Sequence, residues 1–272
     1  MEAARKLSPR TLRIYEREER HFIRNFRQIY GRPPEGAADE QIGDYLKNCY
    51  PEHVRSASTL TVHVAAIKRW RRKNVKRAAE LISPLVAPAV AEEHPRLLAD
   101  DELNMLFASM DSHICGLMLR LIYSAGIRLR EVVDIRVRDA DFAGRRLYIS
   151  DRGTGGRWVS FPGKLQYLLE RETLQKRPQD YLFSLRSARD GSCEPVSKRT
   201  LQHFLIRAAE ELDLGRITVQ TLRDNFVVHL MRQGIDSNKI VSIMGYRNRR
   251  PILRYKKYVS EKEIQVRGPL IV

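Results

Sequence analysis

The chain has 272 residues, 49 of them lysine or arginine and 33 aspartate or glutamate, for a formal net charge of +16. An excess of that size speaks about partners rather than fold and points to a polyanion, nucleic acid first; a basic surface kept for solubility or ribosome association is the plain alternative. A hydrophobic fraction of 43% is ordinary for a folded domain. Three scattered cysteines (Cys49, Cys115, Cys193) make neither a disulfide framework nor a zinc-type pair, so a reduced, cytoplasmic setting is expected. No apolar run approaches the ~20 residues of a membrane span, and the opening MEAARKLSPR lacks the apolar centre of a secretory leader.

The first segment reads as helices. In LSPRTLRIYEREERHFIRNFRQIY, Ser8 is placed as N-cap and Pro9 as first helical residue. Leu12, Tyr15, Phe22, Phe26 and Ile29 recur at helical spacing with cations between them. GRPPEG breaks the helix. ADEQIGDYLKNCY predicts a short second helix with Ile42, Tyr45 and Leu46 on one side. SASTLTVHVAAIKRWRRKNVKRAAEL predicts a third, with Leu60, Val64, Ile67 and Val75 as its apolar stripe. That stripe leaves Arg69, Arg71, Arg72, Lys73, Lys76 and Arg77 to project elsewhere with few acids to compensate them. They are candidate contacts to a nucleic-acid backbone, against the alternative of a solvated charged face.

Pro84, Pro88 and Pro95 in LISPLVAPAVAEEHPRLL read as a linker. The expected organisation is a helical domain over 1–83, a linker over 84–96 and a second domain over 97–272. LLADDELNMLFASM opens the second domain with a helix capped at Ala99 or Asp100 and acids in its first turn. HICGLMLRLIYSAG is nearly all apolar and should be its buried centre. RRLYIS and RWVSF flank the glycine-rich DRGTGG and predict a β-hairpin. YLFSLRSARDGSCEPVS reads as an irregular loop. Three helices follow: SKRTLQHFLIRAAEELDL with Leu201, Phe204, Leu205 and Ala208 inward, TVQTLRDNFVVHLMRQG closed by Gly234, and the short DSNKIVSIMGY. The expected fold is therefore mainly α with a small β-hairpin or sheet.

Three stretches carry candidate chemistry. Arg128 follows Gly126 at the end of the apolar helix, with Glu131 three residues on. A guanidinium at the edge of a core needs a carboxylate or a ligand, so a structural pair with Glu131 or Glu170 competes with a ligand grip. Arg223 falls in the first turn of another apolar helix, where unpaired N–H groups also favour a phosphate; an ordinary exposed arginine is the alternative. YRNRRPILRYKKYV, from Tyr246 to Val259, sets three tyrosines among cations. Two arginines and a tyrosine are what attack on a phosphodiester requires: a phenol oxygen as nucleophile and two planar forks on the non-bridging oxygens. A phosphotyrosyl link conserves the bond energy, so that chemistry calls for no ATP, metal or other cofactor. His229 reads as a satisfied helix histidine, His113 and His203 have no partners at metal spacing, and GTGG lacks the Lys-Ser/Thr of a phosphate loop.

YSAGIRLREVVDIRVRDAD, the hairpin and TLRDNFVVHLMRQGIDSNKIVSIMGYRNRRPILRYKKYV together resemble the catalytic domain of the tyrosine recombinases, the phage integrase family. SPRTLRIYEREERHFIRNF, DYLKNC and SASTLTVHVAAIKRW are similar to that family's helical core-binding domain, so the resemblance runs in order along nearly the whole chain. It implies an N-terminal core-binding domain followed by an α/β catalytic domain. It implies Arg128 as the first catalytic arginine, Arg223 in QTLR as the second, and Tyr255, ten residues after Gly245, as the nucleophile, with Tyr258 packing one turn further on. The departures are Gln220 and Asp224 where the family has histidines, Tyr246 at its last histidine, and Arg152 at the hairpin lysine. Glutamine is no base and arginine a poor proton donor, whereas a tyrosine can still hydrogen-bond a phosphate.

The resemblance implies a site-specific recombinase that breaks and rejoins DNA through a 3′-phosphotyrosyl intermediate. The competing expectation is a catalytically weak or inactive recombinase-like DNA-binding accessory protein. The partner implied is double-stranded DNA clamped between the two domains. The assembly implied is a homotetramer on paired sites, monomer or dimer off DNA, with no membrane. Exchange of C-terminal segments between subunits makes the terminal GPLIV a candidate donated segment, against a tail packed on its own domain.

Overall fold

A computed structural model describes residues 7–49, 57–74, 95–111, 113–150, 155–186 and 193–259. The chain divides into two compact units, Met1–His94 and Pro95–Val272. Of the expected linker, Pro95 and Arg96 fall in the second unit and 84–94 lies outside the described residues.

In the first unit, α1 spans Pro9–Tyr30, α2 Asp39–Cys49 and α3 Ala57–Asn74. Ser8 caps α1 by accepting the Thr11 N–H at 3.1 Å, which satisfies one of the helix's unpaired donors, and Gly31 ends it in the left-handed region. Phe22 and Phe26 of α1 meet Ile42, Tyr45 and Leu46 of α2 and Leu60, Val64, Ile67 and Trp70 of α3 in one core. The Phe22 ring makes edge contacts with Tyr45 at 5.2 Å and Trp70 at 5.3 Å.

Two expectations change here. Ile29 is 51% exposed, while Glu18 and Glu19 are buried on the face of α1 that packs on α3. Buried carboxylates need partners, and α3 supplies them: His63 Nδ1 lies 2.8 Å from Glu18 and Arg69 Nη1 2.6 Å from Glu19. The α3 stripe continues through Trp70, which is buried; Val75 lies outside the described residues.

The second unit begins with α4 (Asp100–Ser109), capped at Ala99, whose N–H is bonded back by Glu102 Oε2 at 2.8 Å. α5 (Ile114–Ala125) buries ten of its twelve residues and packs on α9 (Val219–Arg232), the other nearly all-buried helix. These two make the centre of the core, α5 through its all-round apolar pattern and α9 with Arg223, Asp224 and Asn225 buried among its apolar residues. Between them run α6 (Leu129–Val132), β1 (Ala140–Asp141), β2 (Arg146–Ile149), β3 (Arg157–Ser160), α7 (Gln166–Thr173), β4 (Ser184–Arg186), β5 (Cys193–Pro195) and α8 (Lys198–Glu211). After α9 come α10 (Ser237–Met244) and α11 (Arg250–Leu253).

The expected hairpin forms, with Leu147 opposite Val159 and Ile149 opposite Arg157, and β1 adds a third antiparallel strand. YLFSLRSARDGSCEPVS is a correction: it is not an irregular loop but holds the antiparallel pair β4–β5, Ser184 opposite Pro195 and Arg186 opposite Cys193. Three residues per strand are too few to show a period of two; burial of the flanking Leu182, Phe183 and Val196 holds the pair in place. Among the described residues, no helix is long and apolar enough to cross a membrane.

Candidate active site

α5 ends at Gly126, whose positive φ of 64° turns the chain so that Arg128 becomes the N-cap of α6. A Cβ on Gly126 would lie 2.5 Å from Met244 Sδ and 2.9 Å from the Phe226 ring, so a side chain there would both strain the backbone and displace its neighbours. Arg128 donates its backbone N–H to Glu131 Oε2 at 2.8 Å, its Nη1 to Oε1 at 2.5 Å, and its Nη2 to the carbonyl of Gly245. Of the two pairings open from the sequence, Glu131 is therefore realised; Glu170 instead accepts from Gln166 at 2.9 Å.

Glu131 holds a second guanidinium. Arg157, first residue of β3, donates to its two oxygens at 3.1 and 2.9 Å and to the Ile243 carbonyl at 3.1 Å. Burial pushes the Glu131 carboxyl up, but hydrogen bonds from Arg157 and from the Arg128 backbone, with the Arg157 charge, outweigh it and bring the pKa down to about 2.

Arg223 is the third cation. It is 6% exposed, and it donates Nε to the Gly126 carbonyl at 3.1 Å and Nη2 to that of Met244 at 3.4 Å. Its guanidinium lies 5.7 Å from the centroid of the Tyr246 ring. Burial presses its pKa below the ordinary arginine value, Tyr246 opposes that, and Arg128 and Arg157 add to it. The group remains a cation.

Arginines from the α5–α6 turn, β3 and α9 thus gather at the turn that ends α10. Gly245 makes that possible: its φ is 63°, and a Cβ there would fall 2.8 Å from Arg157 Cζ and 3.1 Å from Arg128 Nη1. With three guanidiniums to one carboxylate among the described residues, the pocket is electropositive, which suits an anion.

Tyr255 follows α11 and is fully buried. Its hydroxyl donates to Asp224 Oδ1 at 2.6 Å. Arg254 Nη2 donates to the phenol oxygen at 2.5 Å and to Asp224 at 3.3 Å, and Gln220 Nε2 donates to the same Asp224 oxygen at 2.5 Å. Burial, then the hydrogen bond to Asp224 and its charge, push the phenol above its ordinary range, with Arg254 pulling back. Tyr258 is half-buried, with Lys257 Nζ 5.5 Å from its ring centroid.

Arg128, Arg223 and Tyr246 are thus brought to one turn, and Tyr255 and Gln220 meet at Asp224, the residue after Arg223. Arg152 lies outside the described residues. Sequence reasoning missed Arg157 and Arg254, and saw Asp224 only as a departure. The one signal for Arg157 is its place directly after the Gly155–Gly156 end of the hairpin turn; the register that sets it on Glu131 is a tertiary fact.

Among the candidate backbone contacts, Arg69 pairs with Glu19 at 2.6 Å between α1 and α3, with its side chain 18% exposed. The carboxylate that compensates it, Glu19, sits on another helix and was not visible as its partner in the α3 segment. Arg72 and Lys73 are exposed, Arg71 is half-buried, and Lys76 and Arg77 lie outside the described residues. His229 accepts its helix environment as expected, with Gln233 Nε2 3.1 Å from its Nε2.

A mainly helical domain with two small antiparallel sheets, arginines converging from three separate elements, and a tyrosine on the last helical turns defines the tyrosine recombinase class. The description "Phage integrase family" matches residues 96–261, and the chain belongs to that family. It is 29% identical over 174 residues to the tyrosine recombinase XerC of Anoxybacillus flavithermus, a match spanning 58% of this chain and 56% of that protein. It is 24% identical over 268 residues to the putative integrase/recombinase y4qK of Sinorhizobium fredii, spanning 97% and 84%. Among solved structures, the Tn1549 transposon integrase in complex with a circular intermediate DNA is similar with a TM-score of 0.66 at 12% identity, covering 93% of this chain and 96% of that one. XerH bound to its difH substrate gives 0.64 at 16% identity, covering 90% and 76%. At these identities the structural likeness shows the fold.

Proposed function

We propose that the protein is a site-specific DNA recombinase that cleaves and rejoins duplex DNA through a 3′-phosphotyrosyl bond on Tyr255. The observation that carries this reading is the cationic turn at Gly245, where Arg128, Arg157 and Arg223 meet, next to a phenol anchored on the neighbour of Arg223. An arginine has five N–H donors, and Arg223 bonds two of its groups to carbonyls, so donors remain for the non-bridging oxygens. Held in a buried site, these forks stabilise the charge that builds on phosphorus as the phenol attacks. Tyr246 adds a hydroxyl donor and Arg152 a cation from the hairpin turn. Gln220 serves the site by orienting Asp224 rather than by touching the phosphate.

Tyr255 is fully buried at rest. A phosphate reaches its hydroxyl only when covering side chains move aside, so DNA binding and exposure of the nucleophile are coupled. In this reading the domain over 1–83 adds phosphate contacts through Arg71, Arg72, Lys73, Lys76 and Arg77, the linker over 84–96 joins it to the domain over 97–272, and four subunits assemble on paired sites in the cytoplasm, on the nucleoid.

Replacement of the family's proton-transfer groups at Gln220, Tyr246 and Arg152 favours a second reading, a DNA-binding accessory protein without turnover; each such loss is worth about 10²–10⁴-fold. Nicked duplexes of randomised sequence separate the two. The wild type is expected to form a protein–DNA adduct that survives denaturing electrophoresis, and Tyr255→Phe to form none while still binding DNA. Binding without any adduct from the wild type leaves only the accessory protein.

A further inference from the structure

Asp224 stands where the resemblance places a histidine, 5% exposed in α9. One of its oxygens, Oδ1, receives three donors: the Tyr255 hydroxyl at 2.6 Å, the Gln220 amide at 2.5 Å and the Arg254 guanidinium at 3.3 Å. The same Arg254 nitrogen also donates to the phenol oxygen at 2.5 Å. The phenol proton therefore already points at a carboxylate, and a cation already lies on the oxygen that must become negative.

We propose that Asp224 is the catalytic base that takes the proton of Tyr255, with Arg254 holding the phenolate oxygen. This rests on the recombinase reading of the site. In the step, the phenol proton moves to Asp224 Oδ1 and the freed electron pair forms the bond from the Tyr255 oxygen to phosphorus. The bond from phosphorus to the 5′ oxygen breaks, its electron pair leaves with that oxygen, and water supplies the proton that makes it a hydroxyl. Rejoining runs the exchange backwards, Asp224 returning its proton to the departing phenol.

Three features of the site favour a base over a bystander. Burial and the Asp224 charge keep the resting phenol neutral, so its proton has to leave during attack, to a group already in contact. The Gln220 amide and Arg254 fix the carboxylate, which preserves the geometry a proton transfer needs. Asp224 is also the immediate neighbour of Arg223, so base and phosphate grip ride on one rigid helix. Among the described residues, the charged or titratable groups facing Asp224 are Tyr255 and Arg254, with Arg223 beside it in sequence.

The test measures adduct formation by the full chain on nicked randomised duplexes. Wild type, Asp224→Asn and Arg254→Gln are compared, each with either tyrosine or a trifluorinated tyrosine, a far more acidic phenol, at position 255. Asp224→Asn is expected to slow the adduct by about 10²–10⁴-fold. The acidic phenol should recover much of that loss while changing the wild type little. The Asp224→Asn rate should also climb with pH as hydroxide replaces the lost base. Arg254→Gln, at a half-exposed side chain that tolerates change, should show a smaller loss with the same recovery; it carries the test if Asp224→Asn does not fold. An Asp224→Asn protein as fast as wild type, or faster, overturns the proposal and makes the contact a latch. Losses in both variants that the acidic phenol leaves unrecovered overturn it in favour of a structural role. A wild type that binds DNA and forms no adduct overturns the recombinase reading as well, so the two failures are distinguishable.

Discussion

Among the described residues Glu131 is the one carboxylate inside the arginine cluster, and Glu131→Gln tests the cluster's energetics directly. The side chain is 4% exposed and bonds both Arg128 and Arg157, and its pKa is brought from the ordinary 4.5 to about 2. At ~1.4 kcal/mol per pKa unit, that depression is worth about 3 kcal/mol of stability. Removing one member of a buried pair costs about 3–5 kcal/mol, because the partners stay buried and uncompensated, so the two figures agree in size. Because the folded-state pKa is depressed, this contribution is complete above the unfolded value and is lost as pH falls through the folded one. The gap between wild type and Glu131→Gln should be about 3 kcal/mol at pH 7 and shrink to roughly half that by pH 3. Urea unfolding of the full chain, read by hydrogen exchange of α5 and α9 peptides, isolates the second unit from the first. A variant within about 1 kcal/mol of wild type at neutral pH, or a gap that does not narrow in acid, would refute the reasoning.

Gly245→Ala should cost about 1–3 kcal/mol, since it places a side chain at positive φ and under 3 Å from Arg157, and should lower adduct formation by displacing two guanidiniums; thermal unfolding and adduct yield measure both effects. Arg157→Lys keeps the charge but loses the paired contact with both Glu131 oxygens, so a loss of roughly 1–2 kcal/mol and a slower adduct are expected from the same assays. Arg72→Ala should weaken binding to all duplexes alike and lower the slope of log affinity against log salt by about one. Arg69→Met should leave that slope unchanged and instead destabilise the first unit, because Glu19 is left buried without its partner. A fall in the salt slope for Arg69→Met equal to that for Arg72→Ala would show Arg69 to be a phosphate contact after all.

Much of this molecule is written locally. The Ser8–Pro9 start of α1, the capping of α4 by Glu102 and the burial of α5 follow from short-range periodicity and cap chemistry. Arg128 and Arg223 stood out by their places at the ends of apolar helices, whereas the choice of Tyr255 among three tyrosines came from the resemblance to the tyrosine recombinases. Short elements were not legible: β4 and β5 have three residues each and show no period of their own.

What only the tertiary structure decided is which charge meets which. Glu19 and Arg69 are fifty positions apart and pair because α1 packs on α3; Arg157 and Glu131 are twenty-six apart and pair because β3 lies in one register and not the next. Asp224 and Tyr255, thirty-one apart, meet because the segment after α11 folds back on α9. A cation in a sequence is a solvated charge, a structural partner or a ligand grip according to the carboxylate within about 3 Å of it, and that distance is set by long-range packing that no local window contains.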